Sequence, residues 1–125
     1  MLVVPLGGDE FDEGRFAALL DLAGPVTARR LVLRLDEDLT RISQALVLAA
    51  AKADSPAMQG QCHKLIGIAG TVGANRLHEV SVRLHRLTEG QDLGPVAELA
   101  EEVQAVLGRL IQRIRLARTQ LAAGS

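Results

Sequence analysis

Leu31, Leu35, Leu39, Ile42, Leu46 and Ala49 fall three or four residues apart, and so do Leu99, Val103, Val106, Leu110, Ile114, Ala117 and Leu121. Each ladder is the one-sided apolar stripe of an amphipathic helix. Alternation with period two never persists beyond a few residues, so no strand is expected. Turn signals cut the chain between the ladders. Gly24-Pro25 separates a short helix over about 10–22 from a long one over about 26–53. Asp54-Ser55-Pro56 ends the second and starts a third, with Ser55 as the expected N-cap and Pro56 at the first helical position, where a missing N–H costs nothing. The third helix reaches about Val72, Gly73-Ala74-Asn75 makes a tight connection, and a fourth runs to about Thr88. Residues 89–95 form the last loop, and a helix of nearly thirty residues closes the chain. Short loops place successive helices antiparallel. The expected architecture is all-α, an up-and-down antiparallel four-helix bundle with a short N-terminal cap helix. It forms one domain over 1–125 with its bundle core at about 26–122.

Charge and composition remove several classes of function. Fourteen Lys and Arg face fifteen Asp and Glu, for a net charge of −1, which is no surplus with which to neutralise nucleic-acid phosphates. Aromatic residues make up only 2%, so stacking platforms for single strands are missing too. Arg109, Arg113, Arg115 and Arg118 cluster on the last helix, but Glu98, Glu101 and Glu102 offset them, and a solvated charged face accounts for both. The single cysteine, Cys62, excludes an intramolecular disulfide and a thiolate-rich zinc site, and suits a reducing cytoplasm. The apolar start, Met1 to Leu6, is too short for a signal-peptide core, and the seven-residue run Ala45 to Ala51 falls far short of the roughly 20 residues that span a bilayer. A cytoplasmic monomer without cofactor, metal or membrane element is expected.

The third helix is unusual. At about 100° per residue, Met58, Cys62, Leu65, Ala69 and Val72 gather within about 40° of one direction, the core face. His63 lies about 140° from it, among Gly60, Gly67 and Gly70 at about 200°, 180° and 120°. A glycine inside a helix costs about 1 kcal/mol relative to alanine, so three on one face need a reason. Either they admit a neighbouring backbone, or they keep the surface beside His63 flat for another protein. The fourth helix adds His85. In a hairpin turning at Ala74, His63 and His85 are equidistant from the turn. His85 either reaches the His63 ring and fixes its tautomer, leaving the other nitrogen as a nucleophile, or points elsewhere.

The run from Cys62 to Leu77 resembles the signature of histidine-containing phosphotransfer (Hpt) domains, roughly His-x-Leu-Lys-Gly-Ser-Ala followed by Gly-Ala and Leu. The matching positions are His63, Leu65, Gly67, Ala69, Gly73, Ala74 and Leu77. The order and length of the helices are similar to the family's as well. The resemblance implies a phosphoryl carrier in a two-component phosphorelay rather than an enzyme. His63 would take the phosphoryl group and His85 would stand where the family often has a Gln or Glu bonded to the ring. Gln59, Gly60, Lys64, Ile66, Gly67, Ile68, Gly70 and Arg86 would form the docking surface. The implied partners are a response-regulator receiver domain, which brings its own Mg²⁺, and a histidine kinase. Two positions depart from the pattern: Ile66 replaces the usual lysine and Ile68 the usual serine. Lys64 points about 160° away from position 66, so His85 and Arg86 are the candidates to supply the missing cation.

Two other classes of function compete. One is a phosphorylation-silent module that binds a receiver or kinase and regulates it; Ile66 favours it, His63 and Gly67 oppose it. The other is a metal site of His63, His78 and His85. His78 and His85 lie two helical turns apart, roughly 10 Å, too far to chelate one ion, and Cys62 faces the core.

Overall fold

The computed structural model describes residues 9–90 and 94–124. It is all-helical, with α1 (Glu13–Ala23), α2 (Pro25–Ala51), α3 (Ser55–Val72), α4 (Asn75–Glu89) and α5 (Val96–Ala123). The apolar start of the chain and the middle of the last loop lie outside the described residues. No helix among the described residues is long and apolar enough to cross a membrane.

Local chemistry sets the helix ends. Asp12 caps α1 by accepting the Arg15 N–H at 2.9 Å, and Pro25 opens α2. The start of α3 differs from the sequence expectation. Asp54 is the N-cap, accepting the Ala57 N–H at 3.1 Å, and Ser55 is already helical. Asp54 holds the extended backbone that a cap needs, and its carboxylate suits the positive end of the helix dipole. At the other end Gly73 adopts φ +81°, the left-handed conformation that terminates a helix at little cost only for glycine.

The helices form a closed ring in which α2 packs on α3, α3 on α4, α4 on α5 and α5 back on α2. Cross-helix bonds give the directions. Ser43 meets Gln104 while Asp36 meets Arg115, and Gln59 meets Thr88 while Gly70 lies near His78. Both pairs of helices therefore run antiparallel. The core joins both ladders, including Val32, Leu39, Leu46, Val103, Leu110 and Ile114, to Met58, Cys62, Leu65, Leu77, Val80 and Leu84 from the central hairpin. The α1 segment caps the end of the bundle at the α3–α4 turn. Phe11 and Phe16 are buried with ring centroids 5.4 Å apart, and Arg113 of α5 lies over both at 5.9 and 5.3 Å. Glu10 pairs with Arg109 and Glu13 with Arg113, while the Asp12 N–H donates to the Gly73 carbonyl.

One carboxylate is buried between α2 and α5. Asp36 is 6% exposed and accepts bonds from Arg115 at 3.0 Å, Arg118 at 3.1 Å and Thr40 at 3.3 Å. Burial pushes its carboxyl up, but the two guanidinium groups and the hydroxyl outweigh burial and hold it below the usual 3.8. A depressed pKa stabilises the fold fully above the unfolded value, and that stability drains away as pH falls through the folded one. Asp36→Asn is therefore expected to lower unfolding stability at pH 7 by about 1–3 kcal/mol. Urea unfolding of both proteins should show the gap narrowing once the pH passes below the ordinary carboxylate range.

Candidate functional site

The α3 residues divide around the helix by flank. Met58, Cys62, Leu65, Ala69 and Val72 are buried in the core. Gln59 and Gly70 turn toward α4: the Gln59 amide donates to the Thr88 carbonyl at 3.0 Å, and Gly70 lies beside the His78 ring. Ile66, at about 80° from Met58, shares the α4 flank and is half-buried. Gln61, Lys64, Ile68 and Thr71 turn the opposite way, toward α2. His63 is exposed between the two flanks, on the outer face.

His63 borders a groove of about 650 Å³ between α2 and α3. Leu31, Leu35, Ile42 and Ala45 of α2, with Ile68 and Val72 of α3, supply its apolar lining. Asp38 and Arg41 of α2 face Gln61, His63, Lys64, Gly67 and Thr71 of α3 across it. The two α2 residues are tied to each other: Asp38 accepts from Arg41 at 3.3 Å and also takes Arg34 through both carboxylate oxygens, at 3.1 and 3.2 Å.

Sequence reasoning missed these α2 residues. A usable signal was present, because residues equidistant from the Asp54 break come level in an antiparallel pair, and Arg41 then stands level with Gly67, one turn beyond His63.

The glycines separate in kind. A Cβ added at Gly60 or Gly67 meets nothing within 4 Å, and one at Gly70 makes an ordinary contact with His78 at 3.9 Å. None of the three admits a neighbouring backbone, which sets aside helix packing as the reason for them. Gly67→Ala is therefore expected to stabilise the fold by about 1 kcal/mol, the ordinary gain for an exposed helix interior. A chemical-denaturation midpoint checks it; a lower midpoint would mean the position is sterically occupied after all.

On α4, His85 is half-buried and its Nδ1 lies 3.2 Å from a Glu89 carboxylate oxygen, one turn along. His63 and His85 share no hydrogen bond among the described residues. Arg86 is exposed on α4 and, like His85, does not line the groove. Cys62 next to His63 is fully buried, and burial pushes its thiol up to about 11, so it is chemically quiet at neutral pH.

Comparison with known proteins bears on what such a face belongs to. The crystal structure of histidine-containing phosphotransfer protein B (HptB) from Pseudomonas aeruginosa PAO1 superposes with a TM-score of 0.81 over 91% of this chain and 98% of that one, at 17% sequence identity. At that identity the match speaks to the fold. No curated protein sequence matches the chain. The family model for the Hpt domain matches residues 28–117, from the first turn of α2 to the last turns of α5, and so takes in the whole bundle and the His63 face. With that match over most of its length, the chain belongs to the Hpt domain family.

Proposed function

We propose that this protein is a phosphoryl carrier in a two-component phosphorelay and that His63 carries the group. The observation behind this is the setting of His63: exposed, flanked by glycines that leave open space, and beside a groove whose lining is mainly apolar with a charged margin. A receiver domain, delivering from its phosphorylated aspartate, docks on that face. The lone pair of one neutral imidazole nitrogen attacks phosphorus. The new P–N bond forms as the P–O bond to the aspartyl oxygen breaks, and the carboxylate leaves with the electron pair. The other ring nitrogen keeps its proton. The reverse sequence hands the group to a second receiver. Such transfer is mostly positioning and charge neutralisation, and the Mg²⁺ belongs to the receiver.

Gln59, Gly60, Lys64, Ile66, Gly67, Ile68, Gly70 and Arg86 are the proposed docking residues, with the groove beside them as a seat for receiver side chains. His85 has its Nδ1 beside the Glu89 carboxylate, so Nε2 is the nitrogen through which it would meet and orient the His63 ring. In this role residues 1–125 work as one domain, a cytoplasmic monomer with a histidine kinase upstream and no cofactor of its own. A lone buried thiol suits that compartment.

The test is incubation with a panel of phosphorylated receiver domains, followed by a search for acid-labile, base-stable phosphate on this protein. Ile66 at the usual lysine position favours a second reading, a module that binds receivers without carrying phosphate. Receiver binding without any label would select it.

A further inference from the structure

We propose that Arg41 of α2 supplies the cation that offsets the phosphoryl charge on His63, in place of the residue at position 66. This inference rests on His63 as the phosphoryl carrier. Three observations lead to it. The α4 flank, where position 66 lies, carries a half-buried isoleucine, and the α4 histidine there has a Glu89 carboxylate oxygen 3.2 Å from its Nδ1. The α2 flank carries the cations instead: Arg41 and Lys64 both line the groove that His63 borders. Arg41 also has the freedom to act, because its side chain is 71% exposed and its partner Asp38 is held independently by Arg34.

Of the two cations, the arginine is the better suited. Lys64 is the next residue along the same helix, and side chains one apart on a helix do not face each other. Arg41 approaches from across the groove, level with the turn that follows His63. Its planar fork matches two phosphoryl oxygens at once, whereas an ammonium offers a point charge. On phosphorylation the incoming dianion competes with Asp38 for Arg41, and Arg34 keeps Asp38 paired when Arg41 leaves.

Phosphoramidate provides a test that needs no receiver. The His63 ring nitrogen attacks phosphorus, the P–N bond of the reagent breaks, and ammonia departs. A ³¹P NMR titration of the phosphorylated protein then reads the second ionisation of the phosphoryl group. Asp38, Arg41 and Lys64 are the charged groups that line the groove with His63, Arg34 is bound to Asp38 behind them, and His78, His85, Arg86 and Glu89 are titratable and charged groups along the packed α4 helix.

A cation beside the dianion lowers that pKa. Arg41→Gln is therefore expected to raise it by about half a unit, roughly a threefold change, the size of an exposed charge pair. Arg41→Lys should recover most of the shift, and Lys64→Gln should move the value less than Arg41→Gln does. Circular dichroism on each variant checks that the bundle is folded. A pKa in Arg41→Gln within about 0.1 unit of the parent overturns the inference, as does a larger shift from Lys64→Gln, which would give the role to the lysine. Failure of the folded parent protein to take phosphate on His63 overturns the carrier reading, and this inference with it. Normal phosphorylation with an unmoved pKa in Arg41→Gln overturns this inference alone.

Discussion

His63→Gln is expected to reduce phosphate uptake to background and to leave the bundle intact. The chemical half of that expectation follows from the nucleophile. A neutral imidazole nitrogen offers a lone pair in the ring plane and forms a P–N bond, whereas the glutamine amide has its nitrogen lone pair delocalised into the carbonyl and forms none. The structural half follows from position. His63 lies on the outer face of α3, about 140° from Met58, and makes no bond on which the core depends. Glutamine is at least as good a helix former, and an exposed substitution away from caps and networks stays within about 0.5 kcal/mol. Radiolabel transfer from a phosphorylated receiver, beside a thermal melt of both proteins, measures the two halves together. A variant that still accepts label at the parent's level would move the acceptor to another residue. His78 and His85, both on α4, would then be the candidates.

Legibility in the sequence tracked the range of the physics involved. The helices and their order were readable because a one-sided apolar stripe and a Gly-Pro or Asp-Ser-Pro break are local signals. The one-residue error at the α3 cap came from choosing between two adjacent capping residues, a choice that backbone geometry makes and composition does not. The exposure of His63 was readable for the same reason, since five core residues define the buried face of α3. The groove was not. It depends on how α2 sits against α3, and a side chain such as Arg41 reads on its own as one more solvated charge. A tight turn fixes the register of α4 against α3, so the sequence alone points to His85 and Arg86 on α4 for the missing cation. His85 shows the same limit from the other side: equal distance from a turn brings two residues level but does not orient their rings, and Nδ1 sits beside a carboxylate four residues along the same helix.

Gly67→Arg is the second substitution expected to have a large effect, and its effect is on docking rather than on folding. Gly67 lies one turn beyond His63, about 40° around the helix, and is exposed with open space where a Cβ would sit. Removing a helix-interior glycine by itself favours the fold by roughly 0.5–1 kcal/mol, so the thermal midpoint should hold or rise slightly. The new side chain has nowhere to go but outward or across the groove. In either case it occupies the volume through which a receiver's active-site rim must pass to bring its aspartate up to the imidazole. Forcing that much extra bulk into a packed contact costs about 1–3 kcal/mol, so affinity for a receiver that phosphorylates the parent protein should fall about five- to 150-fold. Gly67→Ala is the control, because a single methyl on an open face should change affinity by less than about threefold. Calorimetric titration of the two variants against the same receiver separates bulk from the mere loss of a glycine. Equal affinity for both would mean that receivers reach His63 from the α4 side. The glycines would then need a reason other than clearance, because no neighbouring chain segment contacts Gly67.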